Sequence, residues 1–281
     1  MHEGPAADCS LPSLMVDSGL PLSGNNRLVG IFARPAHLPG SSDPFMPTVL
    51  VTGAGQGLGL EFVRQYASAG WQVIACCRNP ASSPALQALA QGHETIRIET
   101  LEITAGGQVD DLARRLAGST IDLLLNNAGT MGALPFAANL ERQHFGSIDY
   151  ELWDEVFRTN TLGTVRVTEA LLDLVAASVQ KKVICLSSTT GSIAESRRQA
   201  LAYTTSKAAL NKAMTLIADH VRPRGVTVTL VCPGYVKTRM NVGGATVEVA
   251  ESVAAIRALV DRLTLADSGR FLRYNGEAIA W

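Results

Sequence analysis

Apolar residues occur along the chain in short continuous runs, and stretches with helical spacing separate these runs. Six runs have strand character: 48–52, 71–77, 95–101, 121–126, 181–187 and 225–231. Runs that are apolar throughout are typical of strands buried on both faces of a sheet. The helical stretches between them predict right-handed crossovers between parallel strands. We therefore expect one α/β domain with a three-layered, Rossmann-like doubly wound parallel sheet.

The first 46 residues lack this periodicity and are rich in Gly, Pro and Ser. Such composition is typical of a flexible extension, so we expect the folded domain to span 47–281. Several acids and only two arginines make the segment a poor organelle transit peptide. Met46 directly precedes the first predicted strand, and a translation start at Met46 is an alternative to a functional tail.

Composition limits the kinds of molecule that the protein is expected to bind. The 281 residues are 47% hydrophobic and 17% charged, with a formal net charge of −1, which gives no electrostatic reason for binding nucleic acid or an anionic membrane. No apolar run approaches the roughly 20 residues of a membrane-spanning helix. The five cysteines show no CxxC spacing and no metal-ligand pattern with histidine, which favours small buried side chains in a reducing setting. We expect a cytoplasmic protein that acts on a small molecule and has no metal site.

A glycine-rich run, Thr-Gly-Ala-Gly-Gln-Gly-Leu-Gly over 52–59, follows the first predicted strand and precedes a helical stretch. Glycines there permit a tight turn and let the backbone approach a pyrophosphate at the positive end of the helix. An ordinary strand-to-helix turn is the alternative interpretation. The position after the first strand favours a dinucleotide site.

The second predicted strand ends at Cys77 and is followed by Arg78. Dinucleotide folds usually carry an acidic residue at this place, where it binds the ribose 2′-hydroxyl of NAD. A missing carboxylate and an added cation favour a 2′-phosphate instead, and hence NADP(H) over NAD(H). Arg78 as an ordinary surface residue is the alternative.

Tyr203 and Lys207 are four residues apart in a helical stretch, so their side chains lie on one face. Chance alone would give such a pair about one time in ten for this composition. A phenol with a pKa of about 10 is a poor proton shuttle at neutral pH, and a nearby ammonium group lowers that pKa. The pair therefore predicts a catalytic acid and base.

Polar and glycine residues also follow strands four, five and six: Asn-Asn-Ala-Gly at 126–129, Ser-Ser at 187–188 and Pro-Gly at 233–234. Each could be turn chemistry alone. Because the carboxyl ends of parallel strands meet at one edge, together they predict a site there, where the Ser188 hydroxyl could orient a substrate carbonyl.

Taken together, these motifs resemble the short-chain dehydrogenase/reductase family over essentially all of 47–281. The family's cofactor loop matches 52–59, its Asn-Asn-Ala-Gly matches 126–129, and its Tyr-x-x-x-Lys matches Tyr203 and Lys207. Within the family, the chain is similar to the sniffer carbonyl reductase and C-factor branch, for example in its ending Gly-Glu-Ala-Ile-Ala-Trp at 276–281.

The resemblance implies a role for each catalytic residue. Tyr203 would give a proton to a carbonyl oxygen that Ser188 holds. Lys207 would bind the nicotinamide ribose and lower the pKa of Tyr203, and Asn160 would anchor a water in the proton relay. Ser188 lies 15 positions before Tyr203 where many relatives have 13, which leaves Thr190 as an alternative.

The resemblance also implies the cofactor contacts, with Glu102 in place of the usual aspartate near the adenine. These residues are Gly53, Gln56, Gly57, Leu58, Gly59, Arg78, Glu102, Ile103, Asn127, Ala128, Gly129, Tyr203, Lys207, Pro233, Gly234, Val236 and Thr238.

We therefore expect an NAD(P)(H)-dependent oxidoreductase that reduces a small carbonyl compound to an alcohol with NADPH. The alternative is an NAD(P)-binding signalling protein of the C-factor type without physiological turnover. By resemblance, helices over 151–177 and 203–221 would form the interface of a homodimer or homotetramer. Four apolar residues could line the substrate pocket or could be ordinary packing: Met131, Leu134, Met240 and Val242.

Overall fold

A parallel sheet runs through the chain from Thr48 to Arg273, as the apolar runs predict. The computed structural model describes residues 46–133, 135–195, 200–240 and 244–281. The predicted extension lies outside the described residues up to 45, so its boundary with the folded domain stays a prediction.

Strands and helices alternate in the order expected of a doubly wound fold. The strands are β1 (Thr48–Thr52), β2 (Gln72–Cys77), β3 (Ile96–Thr100), β4 (Leu123–Asn126), β5 (Lys182–Leu186), β6 (Thr227–Cys232) and β7 (Phe271–Arg273). The helices are α1 (Gly57–Ser68), α2 (Pro84–Gln91), α3 (Gly106–Arg115), α4 (Phe136–Glu141), α5 (Tyr150–Phe157), α6 (Thr164–Ala176), α7 (Leu201–Val221) and α8 (Val249–Arg262).

The strand order is β3-β2-β1-β4-β5-β6-β7, and each neighbouring pair is parallel. The predicted fold class is therefore confirmed. After β3 the chain crosses back over β1 to form β4, so the direction of winding reverses at β1. A crevice opens at the carboxyl ends of the strands beside such a reversal, where ligands of open α/β sheets bind.

The apolar runs supply two hydrophobic layers because successive side chains of a strand point to opposite faces. In β1, Leu50 packs with the cluster beneath α3, α6 and α7, whereas Val49 and Val51 pack with the cluster beneath α1 and α8. All three side chains are fully buried. The continuous apolar pattern thus reflects a sheet covered by helices on both faces.

The sequence did not predict β7, which has only three residues and pairs with the last residues of β6. The fourth predicted run begins two residues before its strand because Ile121 and Asp122 are buried without belonging to the ladder. Because buried Ile121 is apolar like the strand residues that follow, the apolar run in the sequence begins before the strand itself.

Asp122 ties three backbone segments together at the amino end of the sheet, opposite the crevice. Its carboxylate accepts hydrogen bonds from the backbone N–H groups of Thr48 at 3.0 Å, Val179 at 3.2 Å and Gln180 at 3.3 Å. The side chain is 1% exposed, so water cannot replace these bonds. Asp122 therefore stabilises the starts of β1 and β5 around β4.

We expect Asp122→Ala to lower the free energy of unfolding by about 2–4 kcal/mol, since buried N–H groups lose a charged acceptor. Asp122→Asn keeps one acceptor oxygen and should cost less than the alanine. Urea unfolding measures both variants. A loss below about 1 kcal/mol in Asp122→Ala would contradict this role of the carboxylate.

Candidate active site

The glycine run connects β1 to α1 as a tight turn. A side chain at Gly59 would collide with the carbonyl oxygen of Gly53, so the start of α1 can pack on the end of β1 only with glycine there. Gln56 precedes α1 and makes no side-chain cap, which leaves the first N–H groups of the helix for another acceptor. Leu58 is half-buried on the first turn and packs against the layer beneath α1.

The end of β4 holds this turn in place. The Thr52 hydroxyl accepts hydrogen bonds from the backbone N–H groups of Asn127 and Ala128, both at 3.0 Å. The Asn127 side chain donates to the carbonyl oxygens of Thr52 at 2.8 Å and Gly53 at 3.2 Å. The predicted contacts at 53–59 and 127–129 thus lie side by side, and the Asn127 amide braces the loop.

The segment after β6 returns across the glycine turn. The Pro233 carbonyl accepts a hydrogen bond from the Ser252 hydroxyl at 2.7 Å, and Val236 forms an isolated bridge with Val247. A methyl group at Gly57 would lie 3.8 Å from the Thr238 methyl carbon. The predicted contacts at 233–238 and those of the glycine turn therefore face one cleft.

Arg78 lies where the second strand ends, with its side chain 79% exposed. Its guanidinium is 3.7 Å from the Glu102 carboxylate, which also accepts hydrogen bonds from the Thr104 backbone and hydroxyl. Ile103 is buried in the hydrophobic cluster beneath α3, α6 and α7. The structure thus brings Arg78 and Glu102 together at the edge of the cleft, and their long, exposed ion pair is weak.

The predicted acid–base pair lies in the first turns of α7. Lys207 is 5% exposed, and its ammonium donates a hydrogen bond to the Leu186 carbonyl at 2.8 Å, at the end of β5. The same nitrogen lies 5.9 Å from the centre of the Tyr203 ring. Burial lowers the pKa of Lys207 to about 8 from its ordinary 10.5, although the nearby Cys185 and Cys232 thiols oppose the shift.

Tyr203 is half-buried and borders the cavity described below. Burial is the largest influence on the pKa of Tyr203 and raises it, the Cys232 thiol also raises it and the Ser188 side chain lowers it, and the net pKa is about 12. We expected a pKa lowered by Lys207. In the structure burial is the largest influence on this phenol, since it disfavours the phenolate.

Ser188, rather than Thr190, is the residue whose side chain lowers the pKa of the Tyr203 phenol. Thr190 supports Ser188 instead, because its backbone N–H and its hydroxyl both donate to the Ser188 hydroxyl, at 3.2 Å and 3.0 Å. A 3₁₀ turn at Thr189–Gly191 directly follows Ser188.

Asn160 lies in a π-helical turn, Arg158–Gly163, between α5 and α6. Its amide donates to the Thr130 carbonyl at 2.9 Å and the Ser206 hydroxyl at 3.0 Å, and its oxygen accepts from the Thr130 backbone N–H at 2.7 Å. The side chain is fully buried. It therefore joins the loop after β4 to the helix that carries Tyr203 and Lys207.

A cavity of about 550 Å³ opens beside Tyr203 and Ser188. Its lining residues are Met131, Leu140, His144, Ser188, Thr189, Thr190, Ala200, Tyr203, Cys232, Gly234, Tyr235, Arg273 and Tyr274. The Arg273 guanidinium is paired with the carboxylates of Glu195 at 2.6 Å and Glu277 at 3.8 Å. The walls are largely apolar, and Ser188 and Tyr203 are among their polar side chains.

Of the apolar residues proposed for the pocket, Met131 lines this cavity. Leu134 and Val242 lie outside the described residues. Met240 is not among the residues of the wall, which favours the alternative of ordinary packing for this residue.

Sequence reasoning missed His144, Arg273 and Tyr274 in the cavity wall. His144 lies in a loop without periodic pattern, and the other two lie in or after the unpredicted β7. The ending Gly-Glu-Ala-Ile-Ala-Trp, noted for its resemblance, is the one signal that this part of the chain belongs near the site.

Residues 47–246 match the family described as short chain dehydrogenase. C-signal of Myxococcus xanthus is 34% identical over 170 residues, which are 60% of this chain and 98% of that protein. The chain belongs to the short-chain dehydrogenase family. It is an NAD(P)-dependent oxidoreductase, since this match and the fold agree with the site described above.

Solved structures of carbonyl reductases share the fold of this short-chain dehydrogenase. The NADPH-bound carbonyl reductase from chicken fatty liver is 33% identical with a TM-score of 0.76, and the match covers 84% of this chain and 99% of that one. Carbonyl reductase Sniffer of D. melanogaster is 25% identical with a TM-score of 0.76, covering 84% and 100%. The resemblance to the sniffer and C-factor branch is confirmed.

Two further features of the described residues concern membrane spans and metal sites. None of the helices in this part of the chain is long and apolar enough to cross a membrane. Nor does the described part contain a group of three or more His, Cys, Asp or Glu side chains that could hold a metal ion.

The lowered pKa of Lys207 makes folding stability depend on pH. Between about pH 8 and 10.5 the unfolded chain binds a proton that the folded chain lacks, so stability attributable to this residue rises with pH across that window. We expect the wild type, measured without cofactor, to gain stability relative to Lys207→Met as pH rises. Urea unfolding of both proteins at several pH values measures the difference, and a pH-independent difference would show that the pKa of Lys207 is not lowered in the folded protein.

Proposed function

We propose that this protein reduces a small, neutral carbonyl compound to an alcohol with NADPH. The observation that carries the proposal is the convergence of Tyr203, Ser188 and Lys207 where the cavity meets the cleft formed by the glycine turn and residues 233–238. NADPH supplies a hydride to the carbonyl carbon when it is bound. The chain supplies the proton for the oxygen, so the product is the alcohol.

The residues present fit a dinucleotide. The uncapped first turn of α1 offers N–H groups to the pyrophosphate, and the glycine turn allows it to approach the backbone. Arg78 and Glu102 lie at the edge of the same cleft, and Thr238 lies across it. These residues and those at 127–129 and 233–236 would hold the cofactor.

In the proposed reaction, Ser188 holds the carbonyl oxygen and Tyr203 transfers its phenolic proton to that oxygen. The raised pKa keeps Tyr203 protonated at neutral pH, as a proton donor must be. The phenolate that remains is stabilised by the Ser188 hydrogen bond and by the positive charge of Lys207. Lys207 would also bind the nicotinamide ribose, and Asn160 would hold a water through which the proton is restored.

The cavity favours an uncharged, largely apolar substrate. Its only arginine within the described wall, Arg273, is already paired with Glu195 and Glu277, so a carboxylate on the substrate would have to displace these partners. A volume of about 550 Å³ lies within the range of pockets for drug-sized molecules. Aromatic or cyclic ketones, aldehydes and quinones fit both properties.

Preference for NADP(H) over NAD(H) is supported by Arg78, by Cys77 in place of an acid, and by the NADPH in the similar chicken enzyme. Glu102 opposes the preference because its charge would repel the 2′-phosphate. The exposed Arg78–Glu102 pair costs little to separate, so the guanidinium can turn toward the phosphate.

Exposed apolar side chains support a homodimer or homotetramer. They lie on the segments that the family resemblance implies as the interface. Leu162, in the π-helical turn, is 50% exposed, and Leu216 on α7 is 56% exposed. Both lie within the predicted segments, 151–177 and 203–221. Burial of these side chains against a second copy would remove apolar surface from water. The cytoplasmic location stays a prediction.

We expect Tyr203→Phe to lower kcat for carbonyl reduction by about 100-fold or more, because it removes the proton donor. NADPH consumption by a panel of aldehydes, ketones and quinones measures the effect. Tyr150→Phe is the matched control, since Tyr150 is 73% exposed and outside the cavity. Undiminished turnover in Tyr203→Phe would rule out the proposed mechanism.

We expect Arg78→Ala to raise KM for NADPH by about 10-fold and to leave KM for NADH nearly unchanged, since only NADPH carries the 2′-phosphate. Arg114→Ala is the control, because Arg114 is similarly exposed and lies on α3, paired with Asp111. Equal effects of Arg78→Ala on the two cofactors would contradict the role of the guanidinium.

A second candidate function is signalling by an NAD(P)-bound protein without physiological turnover. The similarity to C-signal is the observation that favours it. Tyr203→Phe separates the two functions: a signalling protein would keep cofactor binding and its biological effect in that variant, whereas a reductase would keep binding and lose its effect.

A further inference from the structure

The side chain of Gln143 connects the cavity wall to the first turn of α7. Its amide group donates hydrogen bonds to the carbonyl oxygens of Met131 and Asn139, both at 3.1 Å. Its side-chain oxygen accepts from the backbone N–H of Tyr203 at 2.9 Å, and its backbone oxygen accepts from that of Leu201 at 3.1 Å. Gln143 is 1% exposed, so water competes for none of these bonds.

The start of α7 needs such acceptors. The first N–H groups of a helix have no partner within the helix, and the residue before it usually provides a side-chain oxygen. Here that residue is Ala200, which has no side chain able to accept. Gln143, sixty positions before Tyr203 in the sequence, takes the place of a local cap.

The donors of Gln143 bind the segments that carry part of the cavity wall. Met131, Leu140 and His144 line the cavity, and Gln143 directly precedes His144 in the sequence while its side chain bonds to the carbonyl of Met131. The position of this wall and the position of the Tyr203 backbone are therefore set by the same side chain.

We propose that Gln143 is a positioning residue that couples the substrate-binding wall to the proton donor. Its acceptor oxygen fixes the backbone of Tyr203, and its two donors fix the wall against which the substrate packs. The inference rests on the proposed function in one respect, that Tyr203 donates the proton.

A purely structural role predicts something different. If Gln143 only stabilised the fold, its replacement would lower the free energy of unfolding and leave kcat and KM of the folded protein unchanged. A positioning role predicts that loss of the acceptor lowers kcat and that loss of the donors raises KM. NADPH affinity should change in neither case, because these hydrogen bonds do not involve the glycine turn or Arg78.

Two variants of similar length separate the two sets of bonds. Gln143→Met removes acceptor and donors together. Gln143→Glu keeps an acceptor at the helix start, where negative charge is favourable, and removes the two donors. Three measurements on the full chain compare them with wild type: amide hydrogen exchange of the first turn of α7, kcat and KM for an active carbonyl compound, and the dissociation constant for NADPH.

We expect Gln143→Met to lose exchange protection at Leu201 and Tyr203 and to lower kcat by about 10- to 100-fold, as small displacements of catalytic groups do. We expect Gln143→Glu to keep protection and most of kcat and to raise KM. Unchanged protection in Gln143→Met would overturn the inference whether or not a substrate has been found, and so would equal loss of kcat in the two variants.

The two proposals fail separately. Full turnover by Tyr203→Phe overturns the proposed function, whereas a wild-type kcat in Gln143→Met, with Tyr203→Phe inactive, overturns only the positioning role. If Gln143→Met does not fold, Gln143→Glu decides alone: retained protection with raised KM supports the inference, and lost protection overturns it.

Discussion

The burial of a lysine ammonium beside a tyrosine phenol is the constraint on which the rest of this site depends. Burial lowers the pKa of Lys207 to about 8 and raises that of Tyr203 to about 12, so both shifts disfavour the charged form. With a pKa of about 8, Lys207 is still charged at neutral pH, and the Leu186 carbonyl accepts a hydrogen bond from its ammonium. The Tyr203 phenol beside this ammonium therefore stays protonated in the free enzyme and transfers its proton only when a substrate oxygen is present to accept it.

The surrounding chain is built to let these two groups approach the end of β5. Gly191 permits α7 to pack on the turn after Ser188, because a side chain there would lie 2.9 Å from the backbone of Lys207. Asn160 and Gln143 attach the same helix to the loops after β4. The turn after Ser188, the turn that carries Asn160 and the loop that carries Gln143 thus together fix the position of Tyr203 relative to the sheet.

Much of the fold could be predicted from sequence because the strands are apolar on both faces and glycines mark the turn after β1. Three-residue β7 could not, since a pairing so short leaves no periodic signal. Ser188 could be placed at the carboxyl edge of the sheet because parallel strands end together. Tyr203 and Lys207 are joined to it by the family resemblance.

The degree of burial could not be predicted from sequence. Spacing indicates that Lys207 neighbours Tyr203, but the direction in which the pKa of Tyr203 shifts depends on how much protein encloses it. For the same reason Gln143 gave no signal, because its partners at Met131, Asn139 and Tyr203 are brought to it only by the tertiary structure.

The solvent isotope effect on a single turnover of carbonyl reduction tests the central claim most directly. If the Tyr203 phenol transfers its proton as the alcohol forms, the reaction of the NADPH-bound wild type should be slower in heavy water than in ordinary water. The residual reaction of Tyr203→Phe should be much slower and should no longer show the wild-type isotope effect. A wild-type reaction equally fast in both solvents, and equally fast in the variant, would contradict the account.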